Sequence, residues 1–263
     1  MIKREFKINF KSFVIWLSIL IIMFLVVYLI YPYIITDDTM KSMDEMMKMF
    51  PQEMLKAFNM DMASISTAYG WFKTEGFMYV LLIIGIYSYI LGGNILLKEE
   101  NDKTIEYLAS LPIKRSKIIT NKIIVGCVLI ISMVLILGLF NYIALIISGD
   151  FDQKQFLLLS ITPIFIALPL FAINLFTSTF FNKTKKTLGI ALGMVFVFYL
   201  FSVLSELSTN VEFMKYFSVY TLADTRGVLA NVEINLVNVF ISLVITLVFM
   251  FMTYVNYNKK ELI

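Results

Sequence analysis

The sequence predicts an all-α membrane protein with six transmembrane helices and both termini on the cytoplasmic side. Two observations carry that expectation. Six separate stretches are apolar over the ~20 residues needed to cross ~30 Å of hydrocarbon, and none contains Asp, Glu, Lys or Arg. Basic residues then favour alternate connections, as the positive-inside rule requires. Composition agrees: 59% of the 263 residues are hydrophobic, 16% are charged, and the mean hydropathy is +0.83. A soluble domain sits nearer one half apolar and one quarter charged.

The stretches are approximately 13–35, 76–97, 123–148, 156–181, 187–205 and 236–257. The first is too long for a signal-peptide core and has no small-residue cleavage site after it, so it reads as a retained span. The N-terminal tail, the connections after the second and fourth spans and the C-terminal tail together hold 15 of the 22 basic residues. The opposite side holds seven, against 13 acids. Both tails are therefore assigned to the inside, and 1–263 forms a single transmembrane domain. Basic residues are nearly all Lys, with Arg only at Arg4, Arg115 and Arg226. With abundant Ile and Asn, this points to an A/T-rich bacterial genome and hence to a bacterial cell membrane.

Residues 1–12 form an amphipathic segment. Ile2, Phe6, Phe10 and Phe13 share one helical face, with Lys3, Arg4, Lys7 and Lys11 beside it. An interfacial helix has this pattern, its apolar side in the acyl boundary and its ammonium groups at anionic headgroups.

Several chemistries are excluded. There is no His, and Cys127 is the single cysteine. An intrachain disulfide, a thiol or imidazole metal site and Ser–His–Asp catalysis are therefore ruled out. No Gly-x-x-x-x-Gly-Lys-Ser/Thr loop is present to cradle phosphates. Charge-free spans argue against a proton-coupled carrier and against an intramembrane enzyme.

The functional signal lies in the connection 98–122. It opens with Glu99 and Glu100. A short amphipathic turn follows, with Thr104, Ile105, Glu106, Leu108 and Leu111, and Pro112 ends it. Pro donates no N–H and pushes Leu111 away from the α region. Lys114, Arg115, Lys117 and Lys122 lead into the third span. A short stiff element of this kind can seat its apolar ridge in a partner's groove.

The order of an acidic pair, Thr-x-Glu, Leu-x-x-Leu-Pro, Arg and then Lys resembles the cytoplasmic loop of ABC-2 type transporter permeases. The positions that carry it are Glu99, Glu100, Thr104, Glu106, Leu108, Leu111, Pro112, Arg115 and Lys122. Six spans, a basic N-terminal helix and a long loop before the last span extend the resemblance to nearly the whole chain. One departure is local: the family usually has Gly just before the Thr, where this chain has Lys103. The resemblance implies that 98–122 holds a coupling helix and that it docks, with the interfacial helix (Lys3, Phe6, Lys7, Phe10), onto a separate ABC ATPase subunit. It also implies that a second permease copy, or a related permease, completes an exporter. ATP and Mg would then be bound by the partner, with no cofactor in this chain. An amphipathic peptide, an antibiotic or a lipid-like molecule, with a bias towards positive charge, is the expected cargo. No nucleic-acid partner is expected. An ATP-independent channel or scaffold is the alternative.

Other features are weaker. The loop 36–75 places eight Met residues within 40–62. Thioethers bind Cu(I), so a copper-related permease is a further alternative, but the pattern there reads first as an amphipathic helix. Gly189 and Gly193 form a Gly-x-x-x-Gly, a candidate for close helix packing within the chain or across a dimer seam. Pro163 and Pro169 should kink the fourth span, with Thr162 or a neighbouring helix satisfying the freed carbonyls. Asn94, Asn141 and Asn174 are candidate interhelical hydrogen-bonding groups. In 206–235, Tyr216, Phe217 and Tyr220 read as interfacial aromatics beside short helices, and Glu206, Glu212, Asp224 and Arg226 should face water or each other.

Overall fold

A computed structural model describes residues 1–34, 36–50, 67–106, 112–207 and 209–260. Among the described residues there is no β-strand. The helices are α1 (Ile2–Ile34), α2 (Asp37–Met47), α3 (Ala68–Asn101), α4 (Arg115–Ser148), α5 (Gln153–Ile161), α6 (Pro163–Ser178), α7 (Thr184–Leu207), α8 (Thr225–Asn231) and α9 (Leu236–Lys259). Two 3-10 segments, Thr209–Phe217 and Tyr220–Ala223, lie between α7 and α8. Six helical stretches are long and apolar enough to cross a membrane; α5 and α6 together supply the fourth.

Helix ends follow local chemistry. Thr67, Asp152 and Asn235 cap α3, α5 and α9 by accepting from Gly70 N, Gln155 N and Val237 N at 2.9, 3.0 and 3.0 Å. The fourth span breaks at Thr162 because Pro163 cannot donate to Leu159 O. Thr162 fills the gap, its N–H and its Oγ1 both donating to that carbonyl. Pro169, inside α6, likewise frees Phe165 O, and Ser242 Oγ on α9 donates to it at 2.7 Å. Both proline expectations are met, one by a local group and one by a neighbouring helix.

α3 and the α5–α6 pair lie at the centre, while α1, α7 and α9 leave most of their apolar surface outside. The central contact is α3 against α6. At Gly92 a Cβ would meet the backbone carbonyl of Phe171, and at Gly93 it would meet Asn174 and Ser178 side chains. Gly189 and Gly193 have open space beside them instead. Within this chain the close helix packing expected at Gly189 and Gly193 is therefore made at Gly92, which faces the α6 backbone, and at Gly93, which faces polar side chains of α6 and α7.

Two of the three embedded amides, Asn141 and Asn174, bridge helices as expected. Asn174 Nδ2 donates to Tyr89 O at 2.6 Å, and Tyr28 Oη donates to Asn141 Oδ1 at 3.0 Å. Two expected boundaries differ. No break separates residues 1–12 from the first span, since α1 is one 33-residue helix. The connection 98–122 is shorter than its charges imply, because 98–101 belong to α3 and 115–122 to α4. Charged side chains lengthen those helices beyond the apolar stretch without interrupting them. Lys73 and Glu75 likewise sit in α3, on a π-helical turn at Phe72–Gly76.

An ion-pair clasp where both termini meet

The N-terminus, the end of α3, the start of α4, the α6–α7 connection and the C-terminal tail meet at one end of the molecule. They belong to the four segments that charge counting puts on a single side, the end of α3 and the start of α4 bounding one of them. A buried clasp joins them.

Its first half centres on Lys122, which is fully buried in α4 just before the apolar stretch 123–148 begins. Lys122 Nζ donates to Glu99 Oε2 at 2.7 Å, to Ile95 O at 2.6 Å and to Glu5 Oε2 at 3.3 Å. All three donors of the ammonium are thus used. Glu5 and Glu99 are each 1% exposed. A buried charge is tolerated only when paired and hydrogen-bonded. Arg4 Nη2, 3.7 Å from Glu99 Oε1, supplies the second positive charge. Two carboxylates and two cations make the cluster neutral.

Its second half uses the neighbouring acid. Lys260 Nζ meets both oxygens of Glu100 at 2.8 Å and Phe181 O at 2.6 Å. Arg115 Nη1 donates to the carbonyls of Asn258 and Lys260 at 3.3 and 2.8 Å. The adjacent acids therefore diverge. Glu99 binds the α1–α4 side and Glu100 binds Lys260 of the C-terminal tail, which in turn reaches the α6–α7 connection. Thr184 Oγ1 adds a bond to Asn101 Oδ1 at 3.1 Å.

The segment leaving α3 is anchored to this clasp. Thr104 N donates to Glu99 O at 2.8 Å. Lys103 takes φ 55°, in the left-handed region, which explains why Gly is usual at that place. Ile105 is buried against Ile118, with Met1 and Ile113 beside them. Thr104, Glu106 and Pro112 are exposed. Leu108 and Leu111 lie outside the described residues.

In the first turns of α1 the face turned to the protein carries Glu5 and Asn9, not Phe6 and Phe10. Glu5, Asn9, Phe13 and Leu20 are buried, while Ile2, Phe6 and Phe10 are exposed together with Lys3 and Lys7. Phe6 and Phe10 have ring centroids 5.6 Å apart. Ile2, Phe6 and Phe10 of the expected apolar stripe are thus left free of the protein, while Phe13, its fourth member, is buried in the core.

The clasp changes several sequence assignments. Glu99 and Glu100, read as docking residues, are internal braces with their carboxylates out of reach of a partner. Arg115 is half-buried and holds the C-terminal tail. Glu5 and Lys260 escaped the sequence reading. Glu5 had one signal, being the sole acid in a strongly basic segment; Lys260 had none beyond its charge.

At the opposite end, the 206–235 region forms the short helices expected. Tyr216 and Phe217 are exposed, but Tyr220 is buried against Gly85, so it is a packing residue and not an interfacial one. Burial pushes its phenol well above the ordinary tyrosine range. Glu212 is paired with Lys215 at 2.6 Å, which holds the carboxyl below the usual range. Asp224 caps α8 by accepting from Gly227 N at 3.3 Å. The side chain of Glu206 and residues 51–66 of the Met-rich loop lie outside the described residues.

Six membrane-length helices around a charge-locked hub define a polytopic α-helical membrane protein. A family model described as "ABC-2 family transporter protein" matches residues 1–262. The chain belongs to that family, and is thus a membrane component of an ABC transporter. Searches of curated proteins and of solved structures each returned no match.

Proposed function

We propose that the chain is the membrane-spanning subunit of an ATP-driven exporter whose ATPase is a separate subunit, and that the end holding both termini faces that subunit in the cytoplasm. The observation that carries this reading is the clasp. It ties α1, α3, α4, the α6–α7 connection and the C-terminal tail to the base of the α3–α4 connection. A push on that segment would therefore move several spans together, as a motor-driven gate needs.

In this reading the docking surface is made by Thr104, Glu106 and Pro112, with the residues between them. The exposed side of α1, with Lys3, Phe6, Lys7 and Phe10, lies in the headgroup region beside it. The open face of α7 around Gly189 and Gly193 meets a second permease copy. The cargo is amphipathic and leaves the bacterial cell through the paired subunits.

The test is ATP hydrolysis by the reconstituted complex. Glu106→Arg is exposed, so the permease should still insert and retain its thermal stability, while recovery of the ATPase falls at least tenfold. Normal ATPase recovery and normal turnover with Glu106→Arg, together with the same result for Thr104→Arg, would remove the docking role.

A further inference from the structure

At the end opposite the clasp, a cleft of about 660 Å³ opens between α3, α7, the 3-10 segments and α9. Its volume lies in the range of small-molecule sites. The lining is graded. Phe77, Met78, Leu81, Ile241 and Ile245 form an apolar floor, while Lys73, Ser202, Asn238 and the 212–226 region form a polar mouth. The wall from Lys73 to Leu81 spans about 12 Å of helix, and that from Asn235 to Ile245 about 15 Å. Half of a ~30 Å hydrocarbon layer has that depth, so the cleft reaches one leaflet deep.

The charges at the mouth are unequal. The described lining residues include Lys73, Lys215 and Arg226 against Glu212 and Asp224. Both acids are already engaged, Glu212 by Lys215 and Asp224 by the first turn of α8. Lys73 is different. Among the described residues it has no carboxylate partner, and its ammonium lies 5.9 Å from the Tyr69 ring centroid. Glu75, two residues on, does not line the cleft. Lys73 also sits on the π-helical turn, a distortion that often marks functional positions.

We propose that this cleft binds an amphiphile with an anionic head and a hydrocarbon tail, the head held at Lys73 and the tail on the floor down to Ile245. The inference rests on the exporter reading only in making such a molecule a departing cargo. It reverses the positive bias expected of the cargo from the sequence. The same chemistry is offered by an anionic lipid of the surrounding leaflet.

The experiment uses the purified permease, with its ATPase subunit when that is recovered, in phosphatidylcholine nanodiscs. The probe is a dodecyl phosphate with a photoreactive diazirine in its chain. Labelling should map to peptides covering 77–81 and 238–245. Dodecyl phosphate should compete at least tenfold better than dodecyltrimethylammonium. Lys73→Gln should lower labelling at least fivefold, Lys73→Arg should keep it, and Ile245→Trp should block it by filling the floor. Labelling confined to other peptides, equal competition by the two head groups, or indifference to Lys73→Gln would each overturn the site. Repeating the assay with phosphatidylglycerol present separates the sources. Loss of labelling identifies a membrane lipid as the occupant, and retention identifies a non-lipid amphiphile; either supports the site. Labelling is read on the permease chain alone, so failure to recover an ATPase would sink the exporter reading without touching this one.

Discussion

Lys122 has three partners, on two other helices, and no water-exposed surface. Removing it by Lys122→Ala would leave two carboxylates buried and close together, and breaking a buried pair in this way costs about 3–5 kcal/mol. Thermal unfolding in detergent should show a large loss. The double variant Lys122→Met with Glu99→Gln removes charge from both sides and should lose clearly less. Equal losses for the two variants would mean that packing, and not charge, holds the clasp. Lys103 offers a prediction of opposite sign. A residue with a Cβ at φ 55° costs about 1–2 kcal/mol in that region. Lys103→Gly should therefore raise the unfolding temperature, and Lys103→Val should lower it.

At the scale of helices, Gly92 and Gly189 make a matched comparison. Gly92→Ala would drive a methyl into the Phe171 carbonyl of α6, and such overpacking costs about 1–3 kcal/mol. Gly189→Ala meets nothing in its own chain and should not lower the monomer's unfolding temperature, since Ala favours a helix interior over Gly; under the proposed dimer reading it should lower the recovery of a permease dimer. Ser242→Ala exposes the other kind of contact. It strips the hydrogen bond on the carbonyl that Pro169 frees, and should cost about 1 kcal/mol. The proline sites were legible in the sequence because a missing N–H has a fixed consequence at the fourth residue before it. The glycine contact was not. A Gly-x-x-x-Gly spacing reports which residues share a helix face, but the identity of the opposing surface is set by tertiary packing. The clasp was hidden for the same reason. Glu5, Glu99 and Lys122 are each ordinary flanking charges until three helices bring them together. Hydropathy, by contrast, depends only on the solvent, so all six spans could be read directly.

Across the whole molecule, charge and apolar surface are divided between two ends and a belt. One end is locked by ion pairs around the segment that the exporter reading presents to an ATPase. The other holds a leaflet-deep cleft with a lysine, Lys73, that has no carboxylate partner among the described residues. Between them α1, α7 and α9 present apolar surface of the kind that lipid or another permease chain covers. This layout fits a subunit that receives force at one end and releases an amphiphile at the other. The central claim is that the force comes from a separate ATPase. Extraction of the chain from its native membrane in mild detergent, followed by mass spectrometry of the intact complex, measures that directly. The account predicts a nucleotide-binding subunit in a one-to-one ratio with the permease. Recovery of the permease in the same detergent with no nucleotide-binding subunit, under conditions that preserve its own dimer, would contradict it.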